Sequence, residues 1–313
     1  MKIITITLNP AIDKTIEVLD FKLEQLNKVE AMRSDVGGKG INVSRVLKAL
    51  GSESLAMGFA AGNAGQVILQ GLTSQGIDHD FITVEGETRT NLKVFDRSTT
   101  QITEINEPGP PVNEEQLETF EERLKSQMTS ETLVVLSGSI PKTLPSSTYA
   151  VLIKMIKEQG AKLFLDADGE VFRAAVDERP NFIKPNKDEL ERYFGKKLIT
   201  DEDVIEAIRY FVGLGIEQVF ITMGKEGSYY GSKEHFYKMS PLKVQAHSSV
   251  GAGDAFVAAV THAISKGVDL ETMLKLAVAT SAGAVTTVGT NPASAEWIDA
   301  HIGQVKLQRL GGI

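Results

Sequence analysis

Short apolar runs recur at 3–8, 55–60, 133–136, 163–165 and 218–221, with segments of helical period between several of them. Strand-length apolar runs separated by amphipathic stretches predict βαβ units and a parallel sheet. The later runs, TLVVLSG, AKLFLDAD, NFIKPN and QVFITMG, are apolar without alternation. That is the pattern of parallel strands covered by helices on both faces. Each run ends in polar residues or glycine, and in open parallel sheets ligands bind beyond the carboxyl ends of the strands. Chemistry is therefore expected at those endings.

Residues 28–35 (KVEAMRSD) and 88–106 (TRTNLKVFDRSTTQITEIN) alternate polar with apolar positions, and Asp96 to Thr100 read as a turn between two strands. The alternation predicts antiparallel strands with one wet and one apolar face, Val94 and Ile102 being among the apolar positions. A sheet this small needs a cover for that face, which makes it a lid or a dimer clasp. Glu107-Pro-Gly-Pro-Pro111 is a stiff connector to a helix starting near Asn113. The last third, from Gly251, predicts two helices, GAGDAFVAAVTHAISKG and DLETMLKLAVATSAGAVTTVG.

Composition narrows the chemistry. The 313 residues carry 33 Lys+Arg against 41 Asp+Glu, a formal charge of −8, which argues against a nucleic-acid surface. There is no cysteine, and the five histidines (His79, His235, His247, His262, His301) are scattered. Disulfides, thiolate nucleophiles and Cys-based metal sites are excluded, and no HExxH zinc motif is present. GxxxxGK[ST], GxGxxG and GxSxG are likewise missing, which removes P-loop, dinucleotide-binding and serine-hydrolase readings. No apolar run approaches the roughly 18 residues of a membrane span, so no membrane partner and a cytoplasmic location are expected. The whole of 1–313 reads as one α/β domain with a small appendage.

Two glycine-rich loops open helices. Gly37-Gly38-Lys39-Gly40 precedes INVSRVLKAL, which a glycine, Gly51, follows. Free N–H groups at a helix start attract an anion and Lys39 adds a charge there, although a flexible turn with a solvated lysine fits the same residues. Ser249-Val250-Gly251-Ala252-Gly253-Asp254 runs into AFVAAVTHAI. Asp254 has a structural explanation, since an acid at a helix amino end gains about 0.3–1 kcal/mol. The two glycines before it suggest instead backbone approach to an anion, beside a carboxylate able to take a proton from an attacking hydroxyl. Arg89, Asn91 and Lys93 alternate along one strand and so share a face. With Lys39 they offer three cations and an amide to a phosphate already on the acceptor; a charged, solubilising edge strand is the other reading.

GGKGINVSRVL and SSVGAGDAF together resemble the two signatures of the ribokinase-like, PfkB-type carbohydrate kinases. TLNPAID (7–13), LSGSIP (136–141), IKPNKDEL (183–190) and TMGKEG (222–227) match in order, so the resemblance covers nearly the whole chain. It implies a three-layer αβα sandwich with a mainly parallel central sheet and a small β-sheet lid from about 14–35 and 88–106. In the phosphofructokinase and tagatose phosphate kinase branch such lids pack as a homodimer clasp. The resemblance makes Asp254 the general base and the amides of Gly251, Ala252 and Gly253 the anion hole. It also places Thr222, Gly224 and Gly227 along the ATP site, Lys184 and Asn186 at the phosphates, and Glu189 on water around Mg²⁺. Helix capping is the alternative for Asn186 and Glu189. At the acceptor end, Asp13 takes sugar hydroxyls and Gly37, Gly38 and Lys39 contact the sugar or its phosphate, with Asn42 and Ser137 assisting. One departure stands out: Ser248 and Ser249 replace the Asp or Asn plus Thr that often open the second signature. The implied activity is ATP-dependent phosphorylation of a ketohexose monophosphate, fructose 1-phosphate to fructose 1,6-bisphosphate first. RTNLK resembles the 1-phosphofructokinase branch more than the tagatose branch, and tagatose 6-phosphate and fructose 6-phosphate are the rival acceptors. A noncatalytic sugar-phosphate sensor is the reading from another class.

Overall fold

Along the strand KIITIT, Ile4 and Ile6 enter one hydrophobic core while Ile3 enters another, because successive side chains leave opposite faces of a strand. The same division recurs at Val134 and Leu136 against Leu133 and Val135, and at Val219 and Ile221 against Phe220. Strands that are apolar on both faces need cover on both. The computed structural model, which describes residues 1–247 and 250–311, supplies it with helices on each side.

The chain begins with β1 (Lys2–Thr7), β2 (Ala11–Val18), β3 (Val29–Gly37) and α1 (Lys39–Ala49). There follow β4 (Leu55–Ala61), α2 (Gly62–Ser74), β5 (Asp78–Val84), β6 (Arg89–Asp96) and β7 (Gln101–Asn106). The middle holds α3 (Glu114–Gln127), β8 (Thr132–Ser137), α4 (Thr148–Glu158), β9 (Lys162–Asp166), α5 (Gly169–Val176) and β10 (Phe182–Ile183). Next come α6 (Lys187–Phe194), α7 (Asp201–Leu214), β11 (Gln218–Thr222), β12 (Ser228–Gly231) and β13 (Phe236–Met239). The chain ends with α8 (Ala252–Lys266), α9 (Leu270–Ala284), α10 (Ala295–Ile302) and β14 (Leu307–Gly311).

Among the described residues the large sheet has ten strands in the order β14-β13-β12-β11-β10-β9-β8-β1-β4-β5. It is parallel from β5 to β11, and β12, β13 and β14 continue it antiparallel at one edge. Helices α3 to α7 pack on one face and α1, α8, α9 and α10 on the other. Each apolar run of the sequence lies in a strand of this sheet, although NFIKPN supplies only the two residues of β10. Asn113 caps α3 in a reciprocal capping box with Gln116.

The small sheet has the order β3-β2-β6-β7. Its outer pairs are antiparallel as expected, but the central pair, β2 with β6, is parallel. The reason is connectivity: β2 follows β1 and β6 follows β5, and two strands leaving the same end of a parallel sheet run the same way. The register separates Val94 from Ile102, because Val94 lies opposite Thr103 and Ile102 opposite Phe95. The two residues therefore sit on opposite faces, Val94 buried and Ile102 46% exposed. One face carries Ile16, Met32, Leu92, Val94 and Ile105, whose partners align directly across the strands. Its root, at Ile12 and Val36, packs against α2. The other face carries Asp13, Arg89, Asn91 and Lys93 and turns toward the ends of the parallel strands.

Candidate active site

The first signature loop is glycine-rich because α1 is pressed onto β1. A Cβ on Gly38, whose φ is +116°, would lie 2.6 Å from Thr7 Cγ2, and one on Gly40 would lie 2.6 Å from the Ile6 carbonyl oxygen. One on Gly37 would meet the Asp13 carboxyl at 2.8 Å. In the second loop Gly251 takes φ +84° at the start of α8, a conformation that glycine adopts without strain. Helix α8 is nearly all small and apolar, and Ala255, Ala258 and Ala259 are fully buried. It sits close against α1 and α9 and aims Asp254 at the ends of the central strands.

Two polar groups meet there. In the first, Asn42 Nδ2 donates to Asp254 Oδ2 at 2.8 Å across 212 residues of sequence. Asp166, the last residue of β9, accepts from Lys39 Nζ at 3.3 Å and pairs with Lys184 Nζ at 3.3 Å. The Ser137 hydroxyl is fully buried and donates to the same carboxylate at 3.3 Å. Lys184 Nζ is also 3.4 Å from where a Cβ on Gly253 would stand, so it lies against the second glycine loop. Glu189 Oε2 accepts from the Asn186 backbone at 2.8 Å and Asn186 Oδ1 accepts from the Glu189 backbone at 2.9 Å, so both residues do cap α6.

Three buried carboxylates thus face two lysines. Burial pushes Asp254 up to about 6; Asp166 adds to the shift, while Lys39, Lys184 and the Asn42 hydrogen bond restrain it. Asp166 is held below its ordinary value: burial acts upward, but Lys184 and Lys39 outweigh it. Glu189 is raised by burial and by Asp166, against the pull of the lysines. Burial opposes the charge on Lys39, yet Asp166, Asp254 and Glu189 more than restore it and raise its pKa.

The second group lies under the small sheet. Asp13 accepts from Asn91 Nδ2 at 3.0 Å and pairs with Lys93 Nζ at 3.4 Å. Among the described residues no carboxylate is in contact with Arg89; its Nη2 donates to the Asn9 carbonyl at 3.0 Å and its Nη1 to the Glu107 carbonyl at 3.4 Å. Among the described residues, Asn42 Oδ1, Asn91 Oδ1, Arg89 Nε and Asn9 Oδ1 are buried without a hydrogen-bond partner. Buried polar atoms are nearly always satisfied, so these four are candidates to hydrogen-bond a polar ligand.

Thr222, at the end of β11, bridges Asn186, and the turn after it uses φ +56° at Gly224 and φ +99° at Gly227. Among the described residues no cluster of His, Asp or Glu forms a ready metal cage.

Lys39, which the sequence grouped with Arg89, Asn91 and Lys93, pairs with Asp166, whereas Asn91 and Lys93 contact Asp13. The structure brings Gly251 to Asp254, Lys184 and Lys39 together, and Asp13 with Asn91 and Lys93. Ser248 and Ser249 lie outside the described residues. Two participants were not singled out in the sequence. Asp166 ends the run AKLFLDAD, where the strand-end rule pointed without choosing between its two aspartates. Asn9 sits in TLNPAID, where its side chain gave no signal of its bond to the Pro108 carbonyl.

The chain matches the model of the pfkB family carbohydrate kinases over residues 6–297. It is 35% identical to a 1-phosphofructokinase of Bacillus subtilis over 308 residues, 98% of this chain and all of the relative. It is 34% identical to a 1-phosphofructokinase of Borreliella burgdorferi over 307 residues, 98% of each. Phosphofructokinase-2 of Escherichia coli, solved in complex with substrates and products, superposes with a TM-score of 0.92 at 27% identity, over 97% of this chain and 99% of that one. A tetrameric inhibited form of the same enzyme gives 0.90 at 26% identity, over 97% and 98%. No helix among the described residues is long and apolar enough to cross a membrane. Signature loops, strand order and full-length similarity agree, and the chain, a phosphotransferase of ribokinase-like α/β fold, belongs to the pfkB family of carbohydrate kinases.

Proposed function

We propose that this chain transfers the γ-phosphoryl group of ATP to fructose 1-phosphate, forming fructose 1,6-bisphosphate and ADP in the cytoplasm, where ATP is available. The observation that carries the reading is Asp254, a buried carboxylate pushed up to about 6, at a glycine-rich helix start with Asn42 on one oxygen. A base so tuned is ionised at neutral pH yet basic enough to take the proton of the acceptor hydroxyl. As that proton passes to Asp254, the hydroxyl oxygen bonds to the γ-phosphorus and the bond to the β-phosphate oxygen breaks, leaving its electron pair on ADP. The amides of Gly251, Ala252 and Gly253, with Lys184, face the developing charge. Thr222, Gly224 and Gly227 hold the nucleotide, and Glu189 would help hold hydrated Mg²⁺, which would neutralise phosphate charge when bound. Asp13 and Asn91 bind the sugar hydroxyls, and Arg89, without a carboxylate partner, reads the phosphate already present.

The small sheet acts as the lid of this single kinase unit. Met32 and Ile105, on one face of it, are 62% and 55% exposed, which supports a homodimer formed by packing of two such faces. The names of the two 1-phosphofructokinase relatives support fructose 1-phosphate among the acceptors. Measuring ADP release with fructose 1-phosphate, fructose 6-phosphate, tagatose 6-phosphate, fructose and ribose tests this. Fructose 1-phosphate is expected to have the highest kcat/KM. A higher value for either of the other phosphosugars overturns the acceptor, and no ADP release with any of them leaves the sensor reading.

A further inference from the structure

One residue of the first signature has no place in the chemistry above. Arg45 lies on α1 one turn beyond Asn42 and is pushed below its ordinary pKa by burial, with Asp35 helping its charge and Arg33 opposing it. Its guanidinium is used on neutral acceptors: Nε donates to Gln75 Oε1 at 3.0 Å, Nη1 to Thr290 Oγ1 at 3.0 Å and to the Thr290 carbonyl at 3.3 Å, and Nη2 to Asn291 Oδ1 at 2.9 Å. A planar fork engaged this way is unavailable to a ligand, and it fixes the backbone of the segment between α9 and α10 against α1.

That segment touches the second glycine loop. Thr290 is 7% exposed, and its Cγ2 lies 3.4 Å from where a Cβ on Gly251 would stand, with its Cα at 3.6 Å. Its neighbour Gly289 lies against the lid: a Cβ there would meet Arg33 Nη2 and Asp35 Oδ2 of β3 at 2.9 Å each. Helix α1 therefore acts on the start of α8 twice, through Asn42 on Asp254 and through Arg45 and Thr290 on Gly251.

We propose that Arg45 is a positioning residue of the phosphoryl-transfer site, holding Thr290 against Gly251 so that the Gly251 to Gly253 amides face the group in transfer. The inference rests on the anion-hole reading of that loop. Errors of about 1 Å at a reacting centre cost on the order of a hundredfold in rate, while the acceptor residues Asp13 and Asn91 stand on other elements. Loss of the fork therefore falls on kcat and leaves acceptor KM in place.

The test measures kcat and KM with the best acceptor of the panel, so a change of acceptor leaves it intact. Arg45→Lys is expected to lower kcat about 10- to 100-fold with acceptor KM within about threefold. Thr290→Val, which removes the hydroxyl, should lower kcat similarly, Thr290→Ser should retain most of it, and Arg45→Lys with Thr290→Val should cost no more than either alone. A lysine variant that keeps over half of wild-type kcat while only melting earlier makes Arg45 structural and overturns the proposal. So does a raised acceptor KM at unchanged kcat, or full additivity of the pair. Gly251→Ala separates the two readings. If it leaves kcat intact, the anion hole is wrong and this inference falls with it; if it abolishes kcat while Arg45→Lys does not, this inference falls alone. Should the lysine variant fail to fold, the two Thr290 variants carry the same comparison.

Discussion

Asp254 and Asp166 show how two buried aspartates that feel the same two lysines shift in opposite directions. Asp166 has both ammonium groups in contact, so its folded pKa is depressed; its contribution to stability is present above the unfolded value and is lost as pH falls. Asp254 is raised to about 6, so its contribution is full below the unfolded value near 4 and is lost as pH rises toward 6. At neutral pH ionised Asp254 then costs on the order of 1 to 3 kcal/mol. Asp254→Asn should lower kcat about 10²- to 10⁴-fold and at pH 7 raise Tm by a few degrees. Asp166→Asn, which strands Lys184 in a buried site, should lower Tm at the same pH. Calorimetry of both variants checks the signs, and two shifts in the same direction would refute the assignment. For the wild type, kcat/KM should be flat above pH 6 and fall tenfold per unit below it, as the base protonates. Asp254 was legible because GAGD is an uncommon string at a helix start. Asp166 was not, since a strand-ending aspartate is common and only the fold brings Lys39 and Lys184, 145 positions apart in sequence, to it.

Among the elements, those with their own local signal were legible. The apolar runs of β1, β4, β8, β9 and β11 and the long apolar helices α8 and α9 stand where periodicity put them. Strand β2 was not separable, because Ala11–Val18 interleaves Asp13, Lys14, Thr15 and Glu17 with its apolar positions and owes its form to pairing on both sides. Edge strands β12 to β14, of four or five residues each, likewise depend on their neighbours. Glycines were read as ligand approach, yet those opening α1 are dictated first by packing on β1. Gly40→Ala should therefore cost about 1 to 3 kcal/mol or more in denaturant unfolding, because the added methyl meets the rigid Ile6 carbonyl as well as the Thr7 hydroxyl. Gly51→Ala has nothing within 4 Å and only φ +77° to strain it, so about 1 kcal/mol is expected. Equal costs at the two positions would mean that α1 can shift away from β1, and that its glycines are there for the ligand.

At the scale of the whole molecule, the two faces of the small sheet differ in chemistry. The register puts Asp13, Arg89, Asn91 and Lys93 on the face toward the site, and Ile16, Met32, Leu92, Val94 and Ile105 on the other. Helix α2 reaches only the root of the apolar face, at Ile12 and Val36, which leaves Met32 and Ile105 at 62% and 55% exposure beyond it. Leu19, Leu23 and Leu26, in the segment between β2 and β3, are 63%, 81% and 88% exposed. An apolar surface of this extent on one small sheet is unusual for a free monomer, and a second copy offers the same surface in return. Met32→Lys or Ile105→Lys buries a charge in that contact and should weaken association at least tenfold in sedimentation equilibrium. Ile102→Lys, equally apolar to lysine but on the opposite face, should leave association within about twofold. This contrast separates a specific face from general stickiness, which would respond to all three substitutions alike. A wild type that sediments as a monomer at micromolar concentration removes the dimer outright and leaves the lid closing over its own site alone.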